Sequence, residues 1–109
     1  METKIFEHSS VFRFPEKVDY STEGIISKQI IDRPMGTVTL FSFDKGQRLS
    51  THSAPFDALV QVIEGMAEII INGVSFSLST GDVIIMPAGI PHAVNAVKKF
   101  KMVLTMIKG

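Results

Sequence analysis

The chain of 109 residues contains no cysteine and no tryptophan. Without cysteine there is no disulfide, no thiolate nucleophile and no thiolate-bound metal, so any metal chemistry has to use His, Asp, Glu or Gln. An excess of charge is missing as well: eleven Lys and Arg balance eleven Asp and Glu. That argues against nucleic acid, whose binding depends on neutralising phosphates with cations. The one basic cluster, Lys98, Lys99, Lys101 and Lys108, reads as a solvated strand face. No apolar run reaches the length of a membrane span. The stretch from Met1 to His8 holds no apolar core of signal-peptide length. These absences together lead us to expect a cytoplasmic protein whose partner is neither a membrane nor a nucleic acid. Catalytic signatures are also missing: there is no Gly-x-Ser-x-Gly elbow, no phosphate loop, and no pair of acids on a predicted inward face.

What is there is a balanced globular composition, with 45% hydrophobic and 20% charged residues, in a length that suits one domain, residues 1–109, with a core of its own. No stretch keeps a helical period with caps. Short alternating segments recur between turn residues instead. Val11-Phe-Arg-Phe runs into Pro15 and reads as an edge strand ended by the proline. Residues 24–31 form a further strand, broken by Asp32-Arg33-Pro34, and residues 36–44 alternate strongly. Residues 49–54, 57–64, 66–71, 74–78, 83–86, 93–96 and 100–107 complete the set. Asn72-Gly73 between two of them fits a type I′ hairpin, whose turn positions both need positive φ. Nine to eleven short strands with regular turns predict an all-β sandwich or barrel.

Alternation also sorts the faces. In the last strand Phe100, Met102, Leu104 and Met106 share the side that must be buried, with Lys99, Lys101, Val103 and Thr105 on the other. Inward methionines fill gaps in a core or line an adaptable pocket, which makes Met102 and Met106 candidate ligand contacts. Arg48 has the parity of His52, so it either points inward toward an anionic ligand or sits exposed at the rim. His8 and Glu64 read as surface residues, Asp82 as a turn residue bonded to nearby backbone, and Tyr20 has no assigned role.

Residues 81–92 contain a turn, a short β-branched strand, and a second turn in which Pro87, Gly89 and Pro91 deliver His92 to a fixed place. Gly81, five residues, then Pro87-Ala88-Gly89-Ile90-Pro91-His92 resembles the second motif of the cupins, small β-barrels of jelly-roll type. The asparagine expected four residues after the histidine is replaced by Ala96, with Asn95 one place early. The family's first motif runs glycine, five residues, His, one residue, His, three or four residues, Glu, six residues, glycine. Gly46, His52 and Gly65 fit it, while Ala54 stands at its second histidine and Ala58 at its glutamate. The resemblance covers about residues 36–107. It implies an all-β fold, a small jelly-roll β-barrel (a double-stranded β-helix), with residues 1–35 as N-terminal strands that take part in a homodimer interface.

Where cupins hold a metal, three histidines and a glutamate converge inside the barrel, a set that suits Mn, Fe, Ni, Cu or Zn. By that resemblance His52 and His92 remain as metal-ligand candidates, an incomplete set because Ala54 and Ala58 have no donor atoms. Asp57 and Gln61 fall on the opposite strand face from Ala58. Two functions follow as expectations. The first is a single-domain cupin that binds a small molecule in the barrel mouth, with His52 and His92 as polar anchors and a divalent transition metal at most weakly held. The alternative is a metal-dependent cupin enzyme of dioxygenase, isomerase or decarboxylase type acting on a small organic acid or sugar. A sensor module serving another chain is a third, weaker reading.

Overall fold

The computed structural model describes residues 6–108. These form one 3-10 turn, Phe14–Glu16, and seven antiparallel strands: β1 (Ile25–Arg33), β2 (Gly36–Phe43), β3 (Arg48–His52), β4 (Asp57–Ile71), β5 (Val74–Ser79), β6 (Val83–Met86) and β7 (His92–Ile107). The fold is an all-β jelly roll. Its two longest strands, β4 and β7, pair along their whole length and bend together, so each serves two sheets. One sheet runs β1-β2-β7-β4-β6 and uses residues 57–65 of β4 against 100–107 of β7. The other runs β3-β7-β4-β5 and uses residues 67–71 against 92–96.

The bend explains why fewer strands form than the turn signals suggested. Gly65, which separates the expected strands 57–64 and 66–71, lies inside β4 with φ +88°, a conformation glycine adopts at little cost. Its missing side chain lets β7 approach: a Cβ there would lie 2.1 Å from the Lys99 carbonyl oxygen. On the facing strand, residues 97–99 fall between the register pairs Gly65–Phe100 and Ala67–Ala96, so three residues oppose Met66 alone. Such an insertion kinks a strand and raises its twist. The Asn72-Gly73 hairpin forms as expected, with φ +49° and +80° and the register closing on Ile71 opposite Val74.

The core between the sheets is built from the inward faces. Phe43 and Phe100 are register partners and stack at 4.6 Å and 10°, with Val60, Val62, Ile69 and Met102 buried around them. The face of β7 expected to be solvated is also covered. Lys101 is 7% exposed and Val103 5% exposed, because the segment before β1 lies across the outside of the sheet. Val18 packs there against Leu40 and Val103. The Lys101 ammonium donates to the Pro15 carbonyl at 2.7 Å and lies 3.5 Å from Glu64. Tyr20 donates to the same carboxylate at 2.5 Å, and Ser42 donates to the Asp19 carbonyl. Burial and the neighbouring carboxylate push the Tyr20 phenol well above its ordinary range. Thus Tyr20 and Glu64 gain a role, and the lysine cluster divides into exposed Lys98 and Lys99 and buried Lys101.

One strand expectation fails. Residues 11–13 are not extended in a sheet, and Phe14 opens the 3-10 turn with Pro15 in its first positions. Proline's fixed φ suits the first turn of a helix. Phe6, Phe12 and Phe14 contact one another in sequence instead of alternating along an edge. Among the described residues no helix is long and apolar enough to cross a membrane.

Candidate functional site

Two backbone segments meet at one end of the barrel, and each carries a histidine. The turn between β6 and β7 is closed by Ile90 N–H donating to the Pro87 carbonyl and passes through Gly89 at φ +74°. It is fastened from three sides. Gly89 N–H donates to the Ala54 carbonyl at 2.8 Å, Ala88 N–H to Asp57 Oδ1 at 2.9 Å, and Asn72 N–H to the Pro91 carbonyl at 2.8 Å. Asp57 therefore does lie on the far face from Ala58, as alternation requires, and its carboxylate is engaged in holding the turn. His92 then opens β7, opposite His52 of β3 and Ile71 of β4.

The two imidazoles stand edge to face with their centroids 4.5 Å apart. Nδ1–H of His52 donates to the Ser50 carbonyl at 2.9 Å, and Nδ1–H of His92 donates to the Ile90 carbonyl at 3.3 Å. In a neutral ring the nitrogen opposite a donating Nδ1 is an acceptor, so the Nε2 of each histidine is the atom left to meet a ligand. Burial, and secondly the nearby His52, hold His92 below the ordinary value of 6.5, against an opposing contribution from the Ile90 carbonyl. His92 is therefore neutral at pH 7.

Both rings line a cavity of about 170 Å³ that is otherwise apolar. Met102 and Met106 line it, as their strand face predicted, and so do Ala54 and Ala58. Across the sheet Ala58 lies between Met86 and Met106 in register, so thioether chains flank the place where the family's carboxylate would stand. Met86 was not singled out from the sequence. Its signal was available, since pairing β6 with β4 puts Met86 opposite Ala58 and hence on the same face. Leu49 was hidden by a different cause. β3 shifts register between Leu49 and His52, so two positions of opposite parity both line the cavity.

The same shift displaces Arg48. It pairs with Asn95, whose amide donates to Glu68 on the outer face, while the neighbouring pair Leu49–Val94 faces inward. Arg48 is exposed and does not line the cavity. The parity it shares with His52 along the sequence does not survive the irregularity between them. Gln61 is exposed on the outward side as well.

A three-histidine and glutamate metal set does not fit these residues. Ala54 and Ala58 offer methyl groups, and among the described residues no group of three or more His, Asp or Glu is placed to hold a metal ion.

Comparison with known proteins agrees with the geometry. The family described as Cupin domain matches residues 39–108. A conserved protein of unknown function from Streptococcus pyogenes superposes with a TM-score of 0.92 at 38% identity, over 97% of this chain and 93% of that one. A cupin 2 conserved barrel domain protein from Leptotrichia buccalis gives 0.87 at 40% identity over 89% of this chain, which spans only 47% of that protein. A cupin superfamily protein from Desulfitobacterium hafniense gives 0.91 over the full length of both chains, at 21% identity, a likeness of fold alone. No curated protein matches the chain.

Proposed function

The chain belongs to the cupin family, and from that premise we propose that it binds a small organic molecule in the mouth of the barrel, with His52 and His92 as its polar anchors. The observation that carries this reading is an apolar cavity whose lining includes two imidazole acceptors and no carboxylate. Small-molecule sites are mostly apolar surfaces with a few placed polar groups. Catalytic metal centres of the histidine type use at least three protein ligands, and this cavity supplies two imidazoles.

The test is metal content. Protein purified without chelator or affinity metal, and then incubated with Mn, Fe, Ni, Cu or Zn, is expected to carry far less than one ion per chain by elemental analysis. Stoichiometric metal that disappears in both His52→Ala and His92→Ala would overturn the binding reading in favour of a metal-dependent cupin enzyme.

We also propose that the chain forms a homodimer through the outer edge of β1. That strand ends the sheet order, its outer edge is unpaired among the described residues, and Ile31 and Met35 at its end are 48% and 64% exposed. An unpaired edge needs a partner or protection. The segment around residues 11–14 is not a strand, and its Phe14 packs on the chain's own sheet while Val11 is fully exposed. Light scattering should return twice the chain mass of 12.0 kDa. A single-chain mass at all concentrations removes the proposal.

A further inference from the structure

We propose that the ligand is an uncharged molecule with one hydroxylated ring, bound with its ring among the methionines and its O–H donating to Nε2 of His52 or His92. This inference rests on the barrel-mouth reading above and narrows it to a chemical class.

Size comes first. An apolar cavity of about 150 Å³ engineered into another protein holds benzene, and the cavity here measures about 170 Å³. One six-membered ring with a small substituent fits that space.

Charge comes next. An anion taken out of water needs a cation or a cluster of N–H donors. The nearby cations do not line the cavity: Arg48 is exposed and lies opposite Asn95 on the outer side, Lys101 is held outside the sheet by Pro15 and Glu64, and Lys108 sits over the Phe56 ring. A cationic ligand would need a carboxylate, but Asp57 accepts from Ala88, and Glu68 accepts from Ser75 and Asn95. The titratable side chains in the lining are the two histidines alone. A neutral ligand is the one this lining accommodates without an unpaired charge.

Polarity then selects the donor. Both Nδ1–H groups are already given to backbone carbonyls, so in the neutral rings the Nε2 atoms accept. A ligand carrying carbonyl acceptors alone would leave these lone pairs unmet, whereas an O–H satisfies one. A sugar brings more hydroxyls than two acceptors can serve, and each one buried without a partner is costly. Met86, Met102 and Met106 complete the choice, since thioether sulfur makes favourable contacts with an aromatic ring.

The experiment uses the intact protein with three probes of similar size at pH 7: phenol, toluene and benzoate. Phenol is neutral there, because phenolic hydroxyls titrate near pH 10. Binding is read from the methyl resonances of Met86, Met102 and Met106. Phenol should bind about tenfold more tightly than toluene, the yield of one net hydrogen bond, and benzoate more weakly than either. In His52→Leu the preference for phenol over toluene should shrink severalfold while toluene binding is retained. His52 is exposed, so this variant keeps the fold, and its melting temperature confirms that independently. Toluene binding as tightly as phenol, or benzoate binding more tightly than phenol, overturns the donor or charge argument and leaves the barrel-mouth reading standing. If none of the three probes shifts the methionine methyls, both fall.

Discussion

Gly65→Ala is expected to lower the melting temperature by more than about 15 °C, from the usual response of roughly 4–8 °C per kcal/mol in a domain of this size. Two costs combine. A non-glycine residue at φ +88° pays about 1–3 kcal/mol in backbone strain. The added methyl would also lie 2.1 Å from the Lys99 carbonyl oxygen and 2.8 Å from Phe100 Cα. Both are backbone atoms, so no rotamer change relieves the overlap, and β4 and β7 have to separate at the bend they share. Gly73→Ala is the control. Its φ of +80° is similar, but nothing lies within 4 Å of a Cβ built there, so it reports the strain alone. Chemical denaturation of both variants separates the two costs, and equal losses at the two positions would refute the role assigned to the bend.

The second large effect is a gain. Ala54→His combined with Ala58→Glu should give the cavity one tightly bound divalent ion per chain, where the native protein is expected to hold far less than one. Positions 54 and 58, with His52 and His92, line the same cavity. Without metal the double variant should be less stable than the native chain, because position 58 is only 2% exposed and a carboxylate there has no cation. Burial of such a group without a partner costs a few kcal/mol. Added Mn or Zn should then raise the melting temperature of the double variant and leave that of the native protein unchanged. A ligand present at about a thousand times its Kd contributes roughly 4 kcal/mol. No metal-dependent shift in the double variant would show that these positions do not converge as the motif implies.

The parts legible in the sequence were those decided locally. Asn72-Gly73 specifies its hairpin because both residues tolerate positive φ. Residues 36–43 form β2, with Phe41 and Phe43 on one face and Val38 and Leu40 on the other, and the inward set Phe100, Met102, Leu104 and Met106 lies in the core or the cavity. The spacing from Gly81 to His92 announced the barrel. The misread parts depend on contacts between distant residues. Gly65 has the appearance of a turn until Phe100 is placed against it, 35 residues away by the numbering of that pair. Lys101 looks solvated until the N-terminal segment crosses it, and the Tyr20–Glu64 hydrogen bond spans 44 residues. For Arg48 parity left two options open, inward or exposed at the rim, and the irregularity in β3 settles it as exposed.

The fastening of the rim has a consequence for how such a site changes over generations. Ala54 contributes its carbonyl to Gly89, and Gly89 and Ala88 contribute their N–H groups, atoms that nearly every amino acid carries. The methyl of Ala54, by contrast, faces the cavity. Frame and chemistry are thus assigned to different atoms of one residue. Mutation can erase or rewrite the donors inside the barrel while the hydrogen bonds that shape its mouth are passed on intact, so a lineage can lose one ligand and take up another without ever passing through an unfolded ancestor.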